Sequence, residues 1–316
     1  MKLTIIIPVY NAEKYINECL ESVLENENNS FEIIIINDGS SDNSVKIIKK
    51  FMEKNANITL INNENHGVSY SRNVGISKAK GDYIMFVDAD DKLKCNWFDE
   101  INKRVEWNED IVYFDNNKLS VLKNDVLKYI IGCNEKNICI AGPYSKIFKR
   151  KLIADNNIKF EEKIINGEDM LFNVECLKYA ENIKNICFSF YFYRRYVGQT
   201  TKKFDVKIFD SDIEFQKELA NKLEKFDISD DEKVNLEEYC LQSAVIMLFD
   251  RISYINKFSD AKKYIFRLYD EPYIKAKNKN LLMRKSDKFK YLLYKMKLDY
   301  ILYFLFKLFR RIKYKK

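Results

Sequence analysis

The sequence predicts an α/β protein, a mostly parallel, doubly wound sheet followed by a C-terminal α-helical region. Three observations carry this. Apolar runs without polar alternation recur at Leu3 to Val9, Phe31 to Asn37 and Tyr83 to Val87, as in strands covered on both faces. Amphipathic helical patterns separate these runs, so strand and helix alternate through the first ninety or so residues, and such alternation builds parallel sheets with right-handed crossovers. From Asp205 to Ile274 the pattern is helical throughout.

The elements follow in order. Leu3 to Val9 is the first strand, and after PVYNAE a helix carries Tyr15, Ile16, Cys19, Leu20, Val23 and Leu24 at i, i+3, i+4 spacing. Phe31 to Asn37, with four consecutive isoleucines, is the second strand and ends in Asp38-Gly39-Ser40-Ser41-Asp42. That cluster supplies turn and N-cap chemistry for a helix over Asn43 to Lys54. Ile58 to Ile61 is the third strand. A loop with His66 and Gly67 leads to a helix over Val68 to Ala79 that contains Arg72 and Asn73. Trp97 to Trp107 reads as helix and Ile111 to Phe114 as strand, whereas Leu119 to Cys139 is ambiguous. Ala141 to Phe160 reads as strand, helix, strand, and Glu168-Asp169 opens a helix with Met170, Leu171, Val174, Leu177 and Tyr179.

The chemistry concentrates at Lys80 to Asp91, KGDYIMFVDADD. A turn at Gly81-Asp82 is followed by a buried strand and then by three carboxylates, Asp88, Asp90 and Asp91. Open α/β sheets place ligands at the carboxyl ends of their strands. The D-A-D spacing gathers hard oxygens around one crevice, where a divalent cation or a ring of donors relieves their repulsion. Taken alone, the same residues also describe a solvated acidic loop. Tyr10 with Asn11, Asp38, and Asp88 with Asp90 end three strands, so their carboxyl ends should converge on one edge.

Composition narrows the functional classes. Hydrophobic residues at 47% suffice for a packed core, and only 8 glycines and 3 prolines argue against a loop-rich sandwich. The seven cysteines contain no C-x-x-C pair, which suits reduced thiols and a cytoplasmic setting. With one histidine, His66, and no thiol pair, a zinc site is not expected. Leu3 to Val9 is too short for a secretory signal, and no stretch approaches the roughly 20 apolar residues of a membrane span. The net charge of +7 is unevenly spread. Residues 284–316 hold twelve Lys or Arg against two Asp, a net of +10, which leaves the rest near −3.

Six stretches in order, IIIPVYNAEKYINECLESV (5–23), INDGSSDNS (36–44), NHGVSYSRNVG (65–75), GDYIMFVDADD (81–91), YSKIFKRKL (144–152) and GEDMLF (167–172), resemble family 2 of the glycosyltransferases, GT-A fold enzymes that use nucleotide-sugar donors. The resemblance covers about residues 1–200. It implies that Pro8, Val9, Tyr10 and Glu13 line the nucleotide pocket, with Tyr10 against a uracil face. Asp38 and Arg72 would bond the base edge, with Ala89 beside the donor. Asp88 would reach the ribose or a metal, and Asp90 would hold the Mn²⁺ or Mg²⁺ that bridges the diphosphate of a UDP-sugar. Asp169, paired with Glu168, matches the general base, and an inverting displacement is implied. Burial or repulsion from Glu168 would raise Asp169 from the ordinary ~3.9, as base catalysis needs. Helix capping is the plain alternative for that pair. Arg194 and Arg195 would meet the diphosphate or serve an interface, and Lys146 is structural or acceptor-facing. The Q-x-x-R-W signature of processive synthases is absent, since Gln199 precedes Thr-Thr-Lys-Lys, so one or a few sugars would be added.

This reading divides the chain into a GT-A domain (1–204), a helical region (205–283) and a basic amphipathic tail (284–316). In the tail, Leu298, Ile301, Leu302, Leu305, Phe309 and Ile312 form an apolar stripe, which suits an anionic membrane surface. Packing against a partner helix is the alternative. Nucleic acid is not an expected partner, because the charge is confined to one hydrophobic tail and no nucleic-acid module appears. The expected enzyme is a peripheral one at the inner face of a bacterial cell membrane that builds a surface glycan, with a lipid-linked glycan as acceptor. A nucleotidyltransferase and a catalytically silent membrane scaffold are the competing readings.

Overall fold

The structure, a computed structural model, describes residues 2–26, 30–134, 138–194, 204–271 and 285–313. It divides into two compact units, the first comprising residues 1–130, 141–162 and 168–196, and the second 131–140, 163–167 and 197–316.

The first unit is built on a mixed sheet. In chain order its opening elements are β1 (Leu3–Val9), α1 (Ile16–Leu24), β2 (Phe31–Asp38), α2 (Ser44–Met52), β3 (Ile58–Asn63), α3 (Val68–Lys78) and β4 (Tyr83–Phe86). There follow β5 (Lys92–Leu93), α4 (Trp97–Asn102), β6 (Ile111–Asp115), α5 (Lys123–Ile131), β7 (Lys146–Lys149), α6 (Arg150–Asp155), α7 (Glu168–Tyr179), β8 (Ile183–Cys187) and β9 (Tyr191–Phe192). Among the described residues the main sheet runs β3-β2-β1-β4-β7-β6-β8. The expected parallel core is β1 to β4, with Leu3 opposite Phe31 on one side and Tyr83 on the other. β7 alone runs antiparallel to its neighbours, while β5 and β9 form a separate antiparallel pair.

The isoleucine runs are buried on both faces, as their lack of alternation requires. Ile5, Ile7 and Val9 join one core with Ile33, Ile35, Trp97 and Phe98. On the opposite face α3 lies so close to the sheet that a Cβ on Gly75 would fall 2.4 Å from the Ile6 side chain. Phe86, Phe148, Phe160 and Phe172 pack edge-on or stacked, with Phe160 and Phe172 parallel at 4.0 Å.

Two local expectations change. Residues 123–131, within the ambiguous stretch, are helical, and Ile158 to Phe160 is not a strand. The amide of Phe160 donates to Asn73 Oδ1 at 2.9 Å and its carbonyl accepts from Asn73 Nδ2 at 2.9 Å. One side chain thus satisfies the backbone that a ladder would otherwise need.

The second unit contains α8 (Val206–Glu224), α9 (Asp230–Ile252), α10 (Phe258–Asp270), α11 (Lys285–Lys295) and α12 (Asp299–Lys313). Asp205 caps α8 by accepting from the Lys207 amide at 2.7 Å, and Ser229 caps α9 by accepting from the Glu232 amide at 3.3 Å, its hydroxyl also donating to Glu232 Oε2. Phe209, Leu248, Phe249, Ile265, Leu268, Tyr294, Leu302, Tyr303 and Phe306 share one core. Residues 284–316 were expected to act as a separate tail, yet α11 and α12 pack into this core. Leu302 of the expected stripe is buried and Leu298 and Leu305 lie against the core, whereas Ile301 is exposed. The side chains of Phe309 and Ile312 fall outside the described residues. No helix among the described residues is long and apolar enough to cross a membrane.

Candidate active site

A cleft of about 320 Å³ opens at the carboxyl ends of β1 and β4, lined by Pro8, Tyr10, Asn11, Ala12, Tyr15, Val68, Arg72, Asp88, Ala89 and Asp90. The strand ends are held in place by side chains from neighbouring loops. Asn11, at φ 48°, donates its amide to Ser40 Oγ at 3.0 Å and accepts from the Ser41 amide at 2.9 Å. The Glu13 amide donates to Asp42 at 2.9 Å, and Glu13 Oε2 accepts from the amide and side chain of Asn43. The PVYNAE and NDGSSDNS stretches are therefore one interlocked structure. Glu13 serves this interlock and, like Val9 in the core, is not among the lining residues.

Asp38 sits next in line and is 4% exposed. Its two oxygens accept the amides of His66 and Gly67 at 2.9 and 2.8 Å. Gly67, at φ +93°, is the N-cap residue of α3, and this conformation suits glycine. Asp38 thereby fixes the start of the helix that carries Arg72, and it too is absent from the cleft lining. His66 packs its ring against Tyr70, with centroids 4.6 Å apart.

Arg72 is the electrostatic centre. Its side chain is buried, over the Phe160 ring at 5.2 Å. Nη2 donates to Asp88 at 3.0 Å, while Nη1 donates to Asp169 at 2.6 Å and lies 3.5 Å from Glu168. A single guanidinium thus joins the β4 loop to the first turn of α7. Residues 97 positions apart meet here, beyond the reach of any local motif. Nε is buried with no partner among the described residues.

The two acids of α7 differ. Burial raises Glu168 to about 8, with Asp169 as the next contributor and Arg72 opposing. Burial also raises Asp169, against Arg72 and Lys146. Glu168 lies the farther from the Arg72 guanidinium, at 3.5 Å against 2.6 Å for Asp169. A carboxyl raised in the folded state binds more protons there than in the unfolded chain, so Glu168 costs stability as pH climbs from its ordinary 4.5 to about 8. Glu168→Gln is therefore expected to raise the melting temperature at about pH 8 and above but hardly at about pH 5. Equal shifts at both would remove the burial argument.

The third acid of the loop behaves otherwise. Asp91, expected at the crevice, is 1% exposed. It accepts from the Tyr191 hydroxyl at 2.6 Å and the Arg194 amide at 2.8 Å, and burial lifts it to about 6. Tyr191 also accepts the Asp88 amide at 3.1 Å, and Arg194 Nε donates to the Asp90 carbonyl at 2.8 Å. The β9 segment therefore clamps the β4 loop and leaves Asp88 and Asp90 on the cleft. Arg194 further pairs with Glu18 at 2.5 Å, so it positions the loop, while Arg195 lies outside the described residues. Lys146 is buried, with Nζ on the Gly142 carbonyl. Sequence reasoning missed Tyr191 because nothing local links it to a loop 100 residues earlier.

Residues 4–131 match the family model Glycosyl transferase family 2. The chain carries a family 2 glycosyltransferase domain of the GT-A fold. The match encloses Asp38, Arg72, Asp88 and Asp90 and stops before Glu168 and Asp169. The uncharacterized glycosyltransferase EpsJ of Bacillus subtilis (strain 168) is 32% identical over 219 residues, 63% of this chain and 63% of its own length. The poly(ribitol-phosphate) beta-N-acetylglucosaminyltransferase TarS of Staphylococcus aureus (strain Mu50 / ATCC 700699) is 28% identical over 203 residues, 61% of this chain and 35% of its own. The chain thus spans less than two thirds of either relative. The crystal structure of S. aureus TarS 1-349 in complex with UDP superposes with a TM-score of 0.66 at 20% identity, covering 100% of this chain and 93% of that one. The mannosyltransferase PcManGT from Pyrobaculum calidifontis, in complex with GDP-Man and Mn2+, covers 86% and 81% at TM-score 0.51 and 16% identity. These structural likenesses establish the fold.

Proposed function

We propose that the protein is an inverting glycosyltransferase that moves a sugar from a UDP-sugar to a hydroxyl of an acceptor, in bacterial surface-glycan synthesis. The observation that carries this reading is the Arg72 bridge between Asp88, on the cleft, and Asp169, on α7. A single displacement needs a leaving-group site and a base on either side of one carbon, and the bridge sets two such carboxylates within the span of one guanidinium. The family 2 domain and the UDP complex of TarS support a nucleotide-sugar donor.

In this reading Tyr10, 55% exposed on the cleft, offers its ring face to the base. Pro8 and Ala89 shape the pocket without adding polar groups, and Arg72, held by Asp88 and Asp169, presents its guanidinium at the cleft wall. Asp169, whose carboxyl burial raises, accepts the proton of the acceptor hydroxyl.

The donor set suits a hard cation. Asp88 and Asp90 supply oxygens only. Among the described residues no three or more His, Cys, Asp or Glu form a cation cage. Two carboxylates leave room for phosphate oxygens, the arrangement usual for Mg²⁺, and PcManGT was crystallised with Mn2+. When bound, such a cation screens the charge that the diphosphate gains on leaving. The reading extends to a lipid-linked glycan acceptor, which places the work at the cytoplasmic face of the cell membrane.

Calorimetric titration of UDP with and without Mn²⁺ tests the site. Wild type is expected to bind UDP more tightly with the metal. Asp90→Ala should lose that gain, by at least the roughly 10–100-fold typical of even outer-shell changes at metal sites. Metal-independent binding of equal strength in both proteins would refute the assignment, and a silent scaffold would bind in neither condition.

A further inference from the structure

The last two helices bury one face and leave another in water. Phe289 and Leu292 on α11, and Met296 just beyond it, recur at i, i+3, i+7, and all are exposed. On α12, Tyr300, Ile301, Phe304 and Leu308 recur at i, i+1, i+4, i+8 and are exposed as well. Seven large apolar side chains thus meet solvent within twenty residues, with exposures between 44% and 60%. Tyr291, Tyr294, Leu302, Tyr303 and Phe306 hold the opposite side in the core. Soluble surfaces seldom gather apolar groups this densely without a partner.

The charge of this stretch of sequence selects the partner. Residues 284–316 carry a net of +10, against about −3 for all the rest. Among the described side chains, Lys290, Lys295 and Lys307 lie over the rings of Phe306, Tyr291 and Tyr303 at 5.0, 5.5 and 4.7 Å. Those rings belong to the buried side, so these lysines flank the apolar face instead of interrupting it. An apolar face with aromatics, flanked by cations, is complementary to an anionic bilayer, whose acyl region takes the rings and whose headgroups meet the lysines. A second copy of the chain would bring the same positive charge to the same place and be repelled.

We infer that the outward face of α11 and α12, defined by Phe289, Leu292, Met296, Tyr300, Phe304 and Leu308, docks on an anionic lipid surface. This differs from the stripe that periodicity selects, of which Leu298, Leu302 and Leu305 lie in or against the core. The inference rests on the proposed function only for its purpose, a lipid-borne acceptor, and its test needs neither nucleotide nor transfer.

Full-length protein is sedimented with vesicles of phosphatidylcholine alone and of phosphatidylcholine mixed with phosphatidylglycerol. Binding to the mixed vesicles is expected, weakening with added salt. The triple change Leu292→Gln, Phe304→Gln, Leu308→Gln alters three side chains that are about half exposed, and should weaken it by about tenfold or more. Phe304→Trp, which keeps an aromatic ring, should show a blue-shifted emission on mixed vesicles, so the proposal remains testable if the triple variant fails to fold. Undiminished pelleting of a folded triple variant, an unshifted Trp emission, or self-association without vesicle binding would each overturn it.

Discussion

Asp169→Asn is expected to slow sugar transfer by about 10²–10⁴-fold, the range that a positioned general base contributes, while leaving UDP affinity nearly unchanged. The expectation is sharp because asparagine conserves size and an oxygen that accepts from Arg72 Nη1, which sits 2.6 Å from the present carboxylate. The folded structure is therefore retained and only the proton acceptor is lost. Burial raises the Asp169 carboxyl above its ordinary range. The rate in wild type should therefore rise with pH as that group deprotonates, on an acid limb displaced upward from the ordinary 3.8 of an aspartate, and this limb should vanish in the variant. Single-turnover rates at saturating donor, measured across pH, check both points. Comparable turnover by the variant would remove Asp169 from the role.

Replacing Arg72 should have the largest effect on the fold. Its guanidinium is buried and faces Asp88, Asp169 and Glu168 at once. Their charge in turn stabilises its ionised form. Arg72→Met removes one side of a buried charge cluster, a change that costs about 3–5 kcal/mol. Arg72→Lys is expected to recover only part of this, since an ammonium cannot span two carboxylates as a planar fork does. Without the cation the acids are raised further, so the folded state of the Met variant binds more protons than wild type. Its deficit should be small near pH 4 and grow toward pH 8, the window between the ordinary carboxyl values and the raised Glu168. Urea unfolding at the two ends of that window measures it. A deficit that does not vary with pH would mean the loss is one of packing over Phe160, not of charge.

The local elements of the first unit were legible in the sequence because each is specified by its own residues. Unbroken apolar runs became the buried strands β1, β2 and β4, and Gly67 and Gly75 fell where a helix start and a close helix–sheet approach require them. The motif stretches also named most of the cleft, with Pro8, Tyr10, Arg72, Asp88, Ala89 and Asp90 all on its walls.

Other features depended on partners distant in the chain. Asp91 reads like Asp88 and Asp90 in the sequence, yet the Tyr191 hydroxyl and the Arg194 amide turn it inward. Asp38 and Glu13 read as ligand residues, but their oxygens hold the Gly67 and Asn43 loops. Phe160 reads as a strand end, but Asn73 takes both of its backbone groups. The same holds for the tail, whose periodicity announced an apolar stripe without saying what would cover it. By itself, the sequence determined the element order, the parallel core and the identity of the acids at one sheet edge, because propensity and hydrophobic period act over neighbouring residues. Only the tertiary structure decided which acid faces the cleft, which carboxylates Arg72 reaches and which side of the last helices meets water, because each depends on contacts between residues tens of positions apart.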